Sequence, residues 1–168
     1  MELNICHLYP DILNLYGDRG NIITMKRRLE SRGISVNVDE CSIGQPLDVD
    51  KYDIFFIGGG QDFEQEVLLR DLASGKGKDI CTAVEEEKVF LAICGGYQMM
   101  GRTVSDPDNT EGGASLRGMN LLPIDTVFRP SKTTTQTRGT LLEIDGVLSD
   151  LSGLAVEGYE IHMGETVR

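Results

Sequence analysis

Ile54-Phe55-Phe56-Ile57 is apolar at four successive positions. Neighbouring side chains of a strand point to opposite faces, so this strand is apolar on both. It needs cover on each side, as in a parallel sheet flanked by helices. The predicted strand, residues 52–57, breaks off at Gly58-Gly59-Gly60. A second apolar run, Val89-Phe90-Leu91-Ala92-Ile93, stops as abruptly at Cys94-Gly95-Gly96.

The rest of the chain alternates to match. Residues 3–8 read as a strand ended by Tyr9-Pro10, and 34–38 as another. Between them lies a glycine-punctuated loop, 15–21, whose Asn21 is expected to cap a helix. That helix carries Ile22, Met25 and Leu29 on one face, and Gly33 stops it. A further helix starts near Asp62 with Val67, Leu68 and Leu72, and another spans about 79–88. Strands alternating with helices imply an α/β fold with a doubly wound, mostly parallel sheet. Sites in such folds form at the carboxyl ends of the strands, where both glycine clusters fall. A helix over 97–104 comes next, then a loop over 105–118, read as a surface loop in preference to a flap. Short β-like runs follow at 121–128, 139–144 and 156–161. No repeat or linker divides residues 1–168, so a single domain is expected.

Composition excludes some functions. The net charge of −11 argues against binding nucleic acid through its phosphates. No apolar run approaches the roughly 20 residues that span a bilayer. Met1-Glu2-Leu3-Asn4-Ile5-Cys6 lacks the basic start of a signal peptide. Four cysteines without C-x-x-C spacing and two histidines give no expectation of a metal site. Reduced thiols fit a cytoplasmic location.

Strand, sharp turn and helix at Cys94 have the shape of a nucleophile elbow. A thiol near a helix N-terminus is expected to have a lowered pKa. The same pattern also suits a buried structural cysteine. Gly58-Gly59-Gly60 lacks the Lys-Ser/Thr of a phosphate loop. Free N–H groups there, at Gly59 and Gly60, with that of Gly95, suit an oxyanion hole; otherwise these glycines only make tight turns. A cysteine nucleophile usually needs a base. His7 lies within a predicted strand and reads as a packed histidine. His162, with Glu160 two residues away, is open to a site-lining or a surface role.

Three segments carry a resemblance: Phe56-Ile57-Gly58-Gly59-Gly60, Ala92-Ile93-Cys94-Gly95-Gly96-Tyr97-Gln98 and Gly158-Tyr159-Glu160-Ile161-His162-Met163-Gly164. Together they resemble class I glutamine amidotransferases of the cobyric acid synthase (CobB/CobQ-like) type. Leu13-Asn14-Leu15-Tyr16-Gly17-Asp18-Arg19-Gly20-Asn21 is more narrowly similar to the glutaminase subunits of lipid II isoglutaminyl synthases. The resemblance covers essentially the whole chain. It implies a flavodoxin-like fold and a Cys94 that attacks the side-chain amide of glutamine. It also implies an oxyanion held near Gly59 and at Gly95, and a Gln98 that shapes the glutamine pocket. No cofactor is implied on this chain. ATP and magnesium fall to a Mur-ligase-like synthetase partner, a heterodimer being expected, which amidates D-glutamate of lipid II.

Two departures from the family pattern qualify this. The family's catalytic histidine lies in a later Gly-Thr-Tyr-Leu-His-Gly-like segment, which has no counterpart before Arg168. The expectation is therefore a chain lacking the C-terminal segment, with His162 at a different position from that base. The family arginine expected shortly after Lys132-Thr133 is replaced by Thr134 and Thr135, leaving Arg138 as the substrate-binding candidate. Rival readings are a corrinoid amidotransferase, a non-catalytic remnant acting as a binding module, and another cysteine hydrolase of similar fold.

Overall fold

The computed structural model describes residues 1–14, 18–60, 62–110 and 115–168, and of 62–66 the backbone alone. Leu15, Tyr16 and Gly17 of the first predicted loop, Gln61, and Gly112-Gly113 of the later one lie outside these.

Strands β1 (Glu2–Leu8), β2 (Ser35–Cys41), β3 (Ile54–Ile57) and β4 (Val89–Ala92) form a parallel sheet in the order β2-β1-β3-β4. That is the flavodoxin-like order of doubly wound sheets. The two-sided apolar run does what its pattern requires. Phe55 and Ile57 join Cys6, Leu8, Leu68, Ile80 and Met99 in one core. Phe56 points the other way, into a core with Ile5, Ile22 and Val36. Helix α1 (Asp18–Glu30) covers the second face through Ile22, with Met25 and Leu29 partly buried against it. Helices α2 (Asp62–Asp71) and α3 (Gly77–Glu85) supply Leu68, Ile80 and Ala83 to the first.

Helix α1 begins at Asp18, four residues before the Ile22 that a cap at Asn21 implies. The Arg19 N–H donates to Asn14 Oδ1 at 3.2 Å, so the first turn is closed from upstream and Asn21 lies inside the helix. Gly33 does end it, at φ 76°, with its N–H on the Glu30 carbonyl.

Between α2 and α3 the chain makes a wide π-type turn, Leu72–Lys76, with Gly75 at φ 138°. This turn delivers Lys76 into the protein, where only 5% of it is exposed. Its Nζ sits 2.8 Å from Asp71 Oδ2 and 2.6 Å from the Ser42 carbonyl, and over the Tyr9 ring. Asp71 also accepts the Tyr9 hydroxyl and the Gly44 N–H. One buried carboxylate thus joins β1, the loop after β2, and the α2–α3 turn.

Helix α4 (Gly95–Met100) is shorter than the predicted helix over 97–104. Its continuation is β5 (Thr103–Ser105), because Arg102 and Val104 find partners at Ile124 and Thr126. The predicted loop over 105–118 contains β6 (Ser115–Arg117). The short β-like runs that follow resolve into two long strands, β7 (Asp125–Thr140) and β8 (Ala155–Val167), with residues 141–145 outside both. This second sheet has the order β6-β5-β7-β8. Pro130, which has no N–H for a ladder, falls in the register break between Phe128 and Thr133. Beyond that break β7 and β8 run on as an exposed two-stranded arm. Among the described residues no helix is long and apolar enough to cross a membrane.

Candidate active site

Residues at the ends of β3 and β4 build the site. β4 stops at Ala92, and Ile93 still bonds to the Ile57 carbonyl at 2.9 Å. The chain then reverses at Cys94, with φ 50° and ψ −114°. A side chain with a Cβ pays for such backbone angles, so the surrounding structure must enforce them. It does so through Gly96, whose N–H donates to the Gly58 and Ile93 carbonyls, both at 3.0 Å. A Cβ on Gly96 would lie 2.7 Å from the Gly58 oxygen and 2.9 Å from that of Ile57. The two glycine clusters therefore lock together, and the Cys94 carbonyl accepts the Gln98 N–H of α4.

Cys94 is exposed, whereas Gly58, Gly59, Gly60, Gly95 and Gly96 are buried around it. Its thiol is pushed above the ordinary cysteine value. Partial burial of the sulfur is the main cause; the Gly95 N–H lowers it, and the negative charge of Asp18 raises it further. The sequence pattern pointed to a lowered value. The six-residue α4 is too short for its dipole to outweigh desolvation and a nearby carboxylate.

Other candidates sit at varying distance from the elbow. Gln98 lies one helical turn on, and a Cβ on Gly164 of β8 would come 3.1 Å from Gln98 Nε2. Two of the sequence motifs thus meet. His162 holds Glu160 Oε1 with Nε2 and the Gly164 carbonyl with Nδ1, both at 2.7 Å. Both partners accept, so the arrangement favours the imidazolium, which has no lone pair to offer as a base. Glu160 raises the His162 pKa and is itself lowered by it. Arg138 pairs with Glu157 on the arm, with 81% of its side chain exposed. It lies ten residues along β7 from Phe128, roughly 33 Å by strand rise. The structure does not bring Arg138 to the elbow.

The sequence reading overlooked Asp18. It is fully buried in the first turn of α1, directly behind Gly58. Its one signal was an acidic residue among the glycines just before a helix. Among the described residues no group of three or more His, Cys, Asp or Glu could hold a metal ion.

Residues 4–168 match the CobB/CobQ-like glutamine amidotransferase domain. The chain is 41% identical over 165 residues to the lipid II isoglutaminyl synthase (glutamine-hydrolyzing) subunit GatD of Staphylococcus aureus, covering 98% of this chain and 62% of that one. The subunit of the same name from Streptococcus pneumoniae is 46% identical over 101 residues, 60% of this chain and 38% of that one. Cobyric acid synthase of Lachnoclostridium phytofermentans is 47% identical over 93 residues, 55% of this chain and 18% of that one. The chain spans less than two thirds of the length of each of these relatives.

Proposed function

The chain belongs to the CobB/CobQ-like glutamine amidotransferase family, and from that premise we propose that it hydrolyses glutamine to glutamate and ammonia at Cys94. The observation that carries this reading is the elbow itself: an exposed cysteine at positive φ, locked between two strand ends. The sulfur gives its proton to a base and adds to the side-chain amide carbon of glutamine. Backbone N–H groups of Gly95, Gly59 and Gly60 stabilise the oxyanion. The carbon–nitrogen bond then breaks, and the nitrogen takes the proton and leaves as ammonia. Water adds to the thioester, the carbon–sulfur bond breaks, and glutamate and the free thiol result. Gln98 lines the glutamine pocket beside Gly164.

We further propose that the ammonia passes to an ATP- and magnesium-dependent, Mur-ligase-like partner in the cytoplasm that amidates D-glutamate of lipid II. The 41% identity to a lipid II isoglutaminyl synthase subunit over 98% of the chain supports this acceptor. The 47% identity to a cobyric acid synthase over 93 residues favours a second reading, a corrinoid acceptor. The test is glutamate and ammonia release by the protein with its partner, given each acceptor in turn. Release that depends on Cys94 and rises with lipid II supports the first reading. Release equal in Cys94→Ala overturns both, and no release at all points to a non-catalytic binding module.

A further inference from the structure

Asp18 stands behind the elbow without touching solvent. A Cβ on Gly58 would lie 2.7 Å from Asp18 Cγ, 2.9 Å from its Cβ and 2.4 Å from the Leu13 oxygen. Gly58 therefore has no side chain because Asp18 and residue 13 occupy that space. On its other side the Gly58 carbonyl holds the Gly96 N–H at 3.0 Å. Asp18, Gly58 and Gly96 form one packed line ending two residues from the sulfur. The line is anchored where α1 begins, by Arg19 N–H on Asn14 and by the Arg19 side chain facing Glu40 of β2.

We propose that Asp18 is a positioning residue for Cys94: it braces Gly58 against the elbow and sets a carboxylate beside the nucleophile. This rests on the reading of Cys94 as the reactive thiol. Among the described residues, the groups acting on the sulfur are the Gly95 N–H of α4 and Asp18 of α1. Asp18 also acts on His7 of β1, together with Glu40, Arg19 and Asp11. A carboxylate beside a thiol favours the protonated form. Oxidants attack thiolates, so an exposed cysteine kept protonated at rest is protected. The proton then leaves when substrate is attacked, not before.

The test is the pH dependence of Cys94 alkylation by iodoacetamide, read by mass spectrometry of the Cys94 peptide. That readout needs no glutamine hydrolysis. Asp18→Asn, nearly the same shape without the charge, is expected to move the midpoint to lower pH, while Lys26→Gln, an exposed change elsewhere on α1, leaves it in place. One pH unit is a tenfold change in thiolate fraction, so a shift of about half a unit or more is measurable. An unmoved midpoint in folded Asp18→Asn overturns the proposal. Should Asp18→Asn not fold, Asp18→Ser, smaller and equally uncharged, takes its place, with the carbon-13 titration of Cys94 Cβ read in it and in the wild type. A lower midpoint in Asp18→Ser supports the proposal and an unmoved one overturns it. A shifted midpoint without glutaminase activity leaves Asp18 standing and removes the proposed function; activity with an unshifted midpoint does the reverse.

Discussion

At Cys94 the backbone and the electrostatics work in opposite directions. The positive φ presents the thiol, while partial burial and Asp18 hold its proton in place. Reactivity then depends on a base acting at the moment of attack, and His162, with both nitrogens committed to acceptors, is not arranged as one. Its titration checks this. His162 is expected to titrate above about 6.5 by NMR, and Glu160→Gln should bring it back toward that ordinary value. A His162 midpoint unmoved by Glu160→Gln contradicts the pairing. His7 behaves oppositely. It is 2% exposed, packs edge-on against Phe56, and its Nε2 has no hydrogen-bond partner among the described residues. Burial lowers its pKa. The unfolded chain therefore binds this proton more readily, so stability is full above about pH 6.5 and is lost as pH falls through the lower folded value. His7→Leu is expected to change stability at pH 7 by less than about 1 kcal/mol and to flatten the acid limb of the melting-temperature profile. An acid limb left as steep as in the wild type would locate that loss elsewhere.

Among the elements, the α2–α3 turn is held by charge. Burial opposes ionisation of Asp71, but Lys76, the Gly44 N–H and the Tyr9 hydroxyl hold its carboxyl below the usual value. With side chains only 4% and 6% exposed, the Lys76–Asp71 pair cannot be relieved by water. Asp71→Ala leaves a buried ammonium without its counter-ion, and denaturant unfolding is expected to show a loss of about 3–5 kcal/mol. A loss of about 1 kcal/mol or less, the size typical of surface pairs, contradicts the role given to this clamp. Here sequence reading reached its boundary. Leu68 and Leu72 marked a buried face through their spacing, because packing leaves a periodic trace. The π-type turn and Lys76 left none, since a lone buried charge has no period. Asp18 was overlooked for the same reason, and Asn21 was misread because the turn it was expected to cap is closed by Asn14.

Across the molecule, the two sheets differ in how they are supported. The parallel sheet is packed from both faces, and Ile5, Phe55, Phe56 and Ile57 are fully buried. The β7–β8 arm is exposed along most of its length, with Tyr159 76% and Val147, in the turn at its end, 100% accessible. A two-stranded ribbon without a packed face is marginally stable alone. Amide hydrogen exchange is therefore expected to be fast across residues 133–140 and 155–162 and slowest in β1 and β3. Equal protection in both sheets contradicts this picture. The same contrast explains what could be read beforehand. β3 and β4 announced themselves as apolar runs, whereas residues 130–139, rich in Thr and free of apolar alternation, concealed a long strand. The elbow was legible because strand, cysteine and glycines are contiguous; the distance of Arg138 from it was not, because that depends on the register of the arm.

If Cys94 is a nucleophile that recognises glutamine, a glutamine-shaped electrophile must label it covalently. The protein is incubated with a chloroketone analogue of glutamine, and its intact mass and peptides are measured with and without excess glutamine. One adduct on the Cys94 peptide, suppressed by glutamine, is the result predicted. No adduct, or labelling spread over Cys81 and Cys94 regardless of glutamine, would contradict it.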